Sequence, residues 1–275
     1  AFDSESLRPY FKVENVIDGV FKVAGNLYGL DFKELFNIET WHDEVRTFEV
    51  SGENKEHIGL LYVDLFPRKT KRSGAWMNPM LENGFYKGKI RRPHVVFVCN
   101  LTPSSEGQPS LLSYGEVETV FHEFGHSLHG LLSDGKYQTT SGTNVFWDFV
   151  ELPSQIMENF CWARESLDLF ARHHETGELI PDDLFDKMLA ARNYRSATAM
   201  MRQLSLGKLD LELHINEASE AEPGRDLDAL TEDLLSAYTI PTLTKASTMA
   251  RRFGHLFASP IGYAAAYYSY KWAEV

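Results

Sequence analysis

His122 and His126 bracket Glu123 in the segment His-Glu-Phe-Gly-His at 122–126. On an α-helix, residues four apart stack on one face, so the two imidazoles can offer neutral nitrogens to a single Zn²⁺. Glu123 is turned about 100° from His122 by the 3.6-residue period, close enough to take a proton from a metal-activated water. This is the layout of a zinc peptidase. The plain alternative is a His/Glu pair on a solvated helix face.

The surrounding residues argue against that alternative. Ser113 and Glu116 have capping-box spacing, and Val117, Val120, Phe121, Phe124, Leu128, Leu131 and Leu132 form an apolar stripe, which predicts a buried amphipathic helix. Two imidazoles and a carboxylate taken out of water are costly unless a partner or metal satisfies them. A catalytic zinc also holds three protein side chains and leaves one position open. Leu at 128 and 132 closes the route to a third His on the same segment. A Glu from a second helix downstream is the remaining route. The segment 147–162 suits it, with Asp148, Glu151, Gln155 and Glu158 at helical spacing among apolar residues. Glu151 is taken as the third ligand, and Pro153 fits the first turn of that helix.

Asp148 and Glu158 are both candidates for the carboxylate that receives the second ring N–H of a ligating His. Spacing does not choose between them, and an ordinary salt bridge explains Glu158 equally well. His129 is read as a structural or supporting histidine, since a fourth protein ligand would leave no open position. His173 and His174, beside Gly177, are given no metal role.

Elements must carry these groups. A helical stripe runs through 14–29, with a further short turn of helix expected at 31–37. The segments 46–50, 57–66 and 93–100 read as strands of a small antiparallel sheet. Residues 67–92 lack periodicity and read as a long connection, its cationic run Arg68–Arg72 as solvated surface. Residues 102–110 form a loop before the metal helix, and 137–143 a short extended piece. Helices are expected at about 164–173, 182–192, 194–216, 226–238 and 244–256. The expected fold class is α+β, mainly α with a small antiparallel sheet. It forms a single lobe over 1–275, with helix and sheet up to about 112 and a helical zinc- and substrate-binding part over 113–275.

The chain has 275 residues, of which 43% are hydrophobic, and a net charge of −12. It is long enough to bury a sizeable core, and its acidity argues against nucleic acid and anionic membranes as partners. Two cysteines, Cys99 and Cys161, are too few for a disulfide framework and fit a reducing compartment. No apolar run is long enough to span a membrane.

HEFGHSLHG at 122–130, SGTN at 141–144, DFVELPSQIMENF at 148–160 and GYAAAYYSYKWAEV at 262–275, with Ser73–Met77 and 175–194, resemble the thimet oligopeptidase family of zinc metallopeptidases. The resemblance covers nearly the whole chain. It implies a gluzincin-type catalytic lobe, incomplete at both ends, with one Zn²⁺ per chain on His122, His126 and Glu151. Glu123 is then the general base for attack of zinc-activated water on short oligopeptides, with no covalent intermediate.

Tyr263, Tyr267 and Tyr270, at i, i+4 and i+7, are expected on one helix face. The resemblance gives Tyr263, Tyr270 and His255 a role in stabilising the tetrahedral intermediate, and Tyr267 and Gly142 a role in binding substrate; a packed Tyr-rich helix is the bland alternative. Relatives usually carry Gly-Gly before the first of these tyrosines, whereas Pro260 and Ile261 here predict a stiffer loop. Two modes stay open, oligopeptidase and dipeptidyl carboxypeptidase. Arg251 or Arg252 could capture a terminal carboxylate, or either could be surface charge. A cytoplasmic protein, monomeric in full-length form, is expected. The other reading is a metal- and peptide-binding fragment without turnover by itself.

Overall fold

The computed structural model describes residues 2–216, 226–240, 248–257, 259 and 261–275, except the side chains of Asn216 and His255. After a 3-10 helix at Ser4–Tyr10 comes α1 (Val13–Tyr28), closed by Gly29 at φ +67°. Strands β1 (Asp31–Leu35), β2 (Arg46–Ser51), β3 (His57–Asp64), β4 (Trp76–Leu81), β5 (Gly84–Tyr86), β6 (Lys89–Arg91) and β7 (His94–Val98) precede α2 (Tyr114–Leu131). The short helices α3 (Trp147–Val150), α4 (Leu152–Glu158) and α5 (Arg164–Leu167) lead to α6 (Asp182–Ala191) and α7 (Ser196–Leu211), which ends in a π-turn at Glu212–Asn216. They are followed by α8 (Leu227–Leu235), α9 (Met249–Arg252) and α10 (Ser269–Glu274).

Contacts divide the chain into two compact units, Ala1–Val145 with Leu152–Ala191, and Phe146–Glu151 with Arg192–Val275. Among the described residues no helix is long and apolar enough to cross a membrane.

In the first unit the sheet has the order β1-β2-β3-β7-β4. Its character is mixed rather than antiparallel, because β3 and β7 pair in parallel from Leu60↔His94 to Asp64↔Val98. A parallel pair needs a long crossover, and residues 65–93 supply it. That stretch is also not the structureless connection expected. Trp76–Leu81 adds an edge strand antiparallel to β7, and β5 and β6 form a hairpin. Pro79 obscured β4, yet a proline is admissible on an edge strand, where one side of the ladder is unused.

The turn of helix expected at 31–37 is instead β1. Phe32 stacks on Phe21 at 4.3 Å, and Glu34 binds Arg46 of β2 bidentately at 2.8 and 2.7 Å, so tertiary contacts override the local pattern. One face of the sheet, through Leu61, Val63, Val95 and Phe97, joins a core with Val16, Ile17 and Val20 of α1 and Val117, Phe121 and Phe124 of α2. Cys99 and Cys161 are free and buried in the same core.

The run at 68–72 is not all solvated. Asp64, 3% exposed, accepts from Arg68 at 2.8 and 2.9 Å, Lys71 Nζ at 2.8 Å and Trp41 Nε1 at 3.0 Å. Burial pushes this carboxyl up, but the hydrogen bonds from Arg68, Lys71 and Trp41 outweigh it and hold it at about 2, below its ordinary 3.8. A depressed pKa stabilises the fold above the ordinary value, and that contribution, of order 2 kcal/mol, is lost as pH falls from about 4 through about 2. Asp64→Asn should cost about 3–5 kcal/mol, because Lys71 is left buried opposite a neutral group. Urea unfolding at pH 7 measures this, and the variant's stability should respond less to acid over that window. An unchanged midpoint would refute the assignment.

Of the later helices, the one expected at 164–173 stops at Leu167, and an isolated bridge joins Arg172 to Leu179. The helix expected at 244–256 is α9 plus a 3-10 turn at Gly254–Phe257, and its residues 244–247 lie outside the described residues.

Candidate active site

The capping box forms: Ser113 Oγ accepts from Glu116 N at 3.3 Å, and Glu116 Oε2 accepts from Ser113 N at 2.8 Å. Glu116 Oε1 also accepts from Thr102 N at 2.6 Å, tying the preceding loop to the helix start. The inner side of α2 is fixed by aromatic packing. Phe124 lies 5.7 Å from both Phe21 and Phe32 and 6.4 Å from Phe97. That packing aims His122, Glu123 and His126 elsewhere; the two imidazoles meet edge to face at 4.9 Å, and Glu123 is only 6% exposed.

The helix expected over 147–162 is broken. Pro153 has no N–H for the carbonyl of Phe149, so helical bonding lapses and restarts: α3 ends at Val150, Glu151 caps it, and α4 begins at Leu152. Gly125 lets α4 lie close along α2, since a Cβ there would sit 2.6 Å from both the Pro153 carbonyl oxygen and Ser154 Cα. Glu151, bonded to the first residue of α4, is 3% exposed. One ligating atom from each of His122, His126 and Glu151 lies within 4.8 Å of the others.

This donor set suits zinc. Bonds of about 2.0–2.1 Å in a tetrahedron place ligand atoms roughly 3.3 Å apart, a separation inside the 4.8 Å limit within which the three lie. Two imidazoles and one carboxylate also leave the fourth position open.

Glu158, on α4, sets Oε1 2.6 Å from His122 Nδ1. A His122 that donates from Nδ1 keeps its Nε2 lone pair for a metal. Asp148 has another partner, the Tyr268 hydroxyl, which donates to it at 3.1 Å. His129 is half-buried, and burial first, then His126, pushes its pKa down.

In the second unit the tyrosines do not share a helix face, because residues 261–268 are turns and α10 starts only at Ser269. Three of them nevertheless converge. The rings of Tyr263 and Tyr270 are parallel at 6.4 Å with hydroxyls 3.4 Å apart, Tyr267 lies 5.1 Å from Tyr270, and Trp147 is 4.3 Å from Tyr263. Burial pushes the Tyr270 phenol far above its usual range, with Tyr263 and Glu151 adding to the rise. It is therefore a protonated donor at any working pH.

The side chain of His255 and residue Pro260 lie outside the described residues. Arg251 is engaged by Asp228 at 2.8 and 3.0 Å, while Arg252 is exposed.

The piece at 137–143 is not extended. Gln138–Thr140 is a 3-10 turn, and Gly142, at φ +54°, donates its N–H to Ser133 Oγ at 2.9 Å. Asn144 Nδ2 completes the loop's anchoring by donating to Glu82 Oε1 at 3.0 Å.

Sequence reasoning passed over Gly125, Trp147, Tyr268 and Asp210. The only signal for Gly125 was a small residue inside a metal-binding motif. For Asp210 it was an acidic residue in an apolar helical stretch.

The sequence profile of Peptidase family M3 matches residues 1–275. Oligopeptidase A of Salmonella typhimurium is 42% identical over 277 residues, covering 100% of this chain and 40% of its own length. Organellar oligopeptidase A, chloroplastic/mitochondrial, of Arabidopsis thaliana is 40% identical, covering 99% of this chain and 35% of its own. Dipeptidyl carboxypeptidase of Escherichia coli is 38% identical, covering 99% of this chain and 40% of its own. The chain thus spans about two fifths of the length of these curated relatives.

Proposed function

We propose, from the premise that this chain belongs to peptidase family M3, that it is the catalytic part of a zinc-dependent metallopeptidase acting on short oligopeptides. The gathering of His122, His126 and Glu151 atoms within 4.8 Å carries this reading. Zinc, when bound, supplies Lewis acidity that activates a water and polarises the scissile carbonyl.

The remaining work falls to this chain's own residues. His122, His126 and Glu151 hold the ion, and Glu158 fixes the ring of His122. Glu123 takes the proton of the attacking water and returns it to the leaving amine. Tyr263 and Tyr270, with His255, donate hydrogen bonds where negative charge develops on the substrate oxygen. Tyr267 and Gly142 bind the substrate. The relatives' names support peptide substrates and leave two modes, oligopeptidase and dipeptidyl carboxypeptidase. With Arg251 engaged by Asp228, Arg252 is the better candidate for a terminal carboxylate. The whole protein is read as a cytoplasmic monomer.

Glu158→Gln should weaken zinc about 10–100-fold, the usual cost of losing a ligand's supporting carboxylate, while Asp148→Asn should weaken it far less. Competition with a chelator measures both, and equal affinities would remove Glu158 from this role.

The reading itself is tested by metal analysis of the purified chain with hydrolysis of quenched peptides carrying free or blocked carboxyl ends. One zinc per chain and cleavage of blocked peptides indicate the oligopeptidase mode; cleavage of free-ended peptides alone indicates the dipeptidase mode. Failure to bind zinc defeats the proposal. The chain's coverage of 40% of its relative favours one other reading, a piece that binds zinc and peptide yet turns nothing over alone.

A further inference from the structure

Asp210 lies one residue before the end of α7 and is 0% exposed. A carboxylate withdrawn from water must be met by donors, and two of these come from far along the chain. Ala265 N–H donates to Oδ1 at 3.0 Å and Tyr267 N–H to Oδ2 at 2.8 Å, 55 and 57 residues away. His214, one turn further along, places Nδ1 2.8 Å from Oδ1.

Between those two amides the backbone turns. Ala265 sits at φ +56°, a left-handed conformation that crowds the Cβ of a non-glycine residue against the following carbonyl oxygen. Such strain persists only where the surroundings over-determine it. The Asp210 carboxylate does so by holding the amides on either side of Ala266, whose own N–H donates to the Tyr263 carbonyl at 3.0 Å. The tyrosines converge about this turn, although no helix carries them together. Tyr263 precedes it, Tyr267 ends it with its ring against Phe253 at 5.2 Å, and Tyr270 follows on α10.

We infer that Asp210 is a positioning residue for the tyrosine cluster: its two oxygens clamp the turn at Ala265–Tyr267, so that the Tyr263 and Tyr270 hydroxyls are presented side by side. This rests on reading those hydroxyls as donors to the developing oxyanion. Asparagine at 210 keeps the size but replaces one accepting oxygen with an NH₂ group, so one of the two amides loses its acceptor.

Two measurements on the zinc-loaded 275-residue chain test the clamp. Amide hydrogen exchange in the unmutated chain should show Ala265 and Tyr267 protected well beyond Ile261. Asp210→Asn should lose that protection while keeping its zinc. Calorimetry should then show a phosphinic peptide, which mimics the tetrahedral state, bound at least about tenfold more weakly by the variant, with an ordinary peptide changed less than about threefold, since only the developing charge uses the aligned donors.

Unprotected amides in the unmutated chain overturn the inference whether or not the variant folds. So does a folded variant with an unchanged ratio of the two affinities. If the unmutated chain holds zinc but binds no phosphinic peptide, the peptidase reading has failed, and the clamp is judged on amide protection alone.

Discussion

Replacing Glu123 by Gln should abolish peptide hydrolysis and leave one zinc per chain. The side chain is 6% exposed and lies directly after His122 on α2, so an isosteric amide preserves packing and both histidines. What is removed is basicity: an amide cannot take a proton from water at neutral pH. Positioned general bases contribute about 10²–10⁴ in rate, so kcat/KM should fall by that factor, equivalent to roughly 3–5 kcal/mol of transition-state stabilisation. Metal analysis and initial rates on the same preparation decide the matter. A variant keeping more than about a tenth of the activity would show that the proton goes elsewhere. A variant without zinc would mean that Glu123 helps to hold the ion.

Gly125→Ala should cost both metal and stability. The added methyl would meet backbone, the Pro153 carbonyl oxygen and Ser154 Cα at 2.6 Å, and backbone cannot rotate away as a side chain can. α4 must move outward, taking Glu158 from His122 and drawing on Glu151 through Leu152. Overpacking of this kind costs about 1–3 kcal/mol, and a displaced ligand should weaken zinc by at least about tenfold. Gly115→Ala is the control on the same helix, where a Cβ meets nothing within 4 Å. It should be neutral or stabilising by up to about 1 kcal/mol, because Ala is the better helix former. Thermal melts with and without zinc compare the two, and equal behaviour would show that α2 and α4 have slack between them.

The roles proposed for His122, Glu123 and His126 rest on local spacing that can be read directly, and the helix that carries them has its own start signal in Ser113 and Glu116. The character of Glu151 was legible as an acid among apolar neighbours. The break that surrounds it was less so, since Pro153 is acceptable in a first turn and only the lost bond to Phe149 shows where that turn begins. β4 was hidden because an edge strand tolerates Pro79, and β1 because its contacts to Phe21 and Arg46 are tertiary. The tyrosine spacing suggested a helix face, whereas convergence comes from a turn clamped by Asp210, whose partners lie 55 and 57 residues distant. No periodicity encodes an acceptor for remote backbone amides.

The packing of Phe124 and Gly125 bears on how much substitution this motif can accept. A search pattern leaves its two central letters blank because no chemical role is asked of them. In this fold the first must be bulky enough to reach Phe21, Phe32 and Phe97, and the second must lack a side chain so that the neighbouring polypeptide can pass. All five letters of the word are thus constrained, three by the chemistry proposed for them and two by volume, and a chain that matches the pattern with the wrong bulk at either blank would spell that chemistry without being able to assemble it.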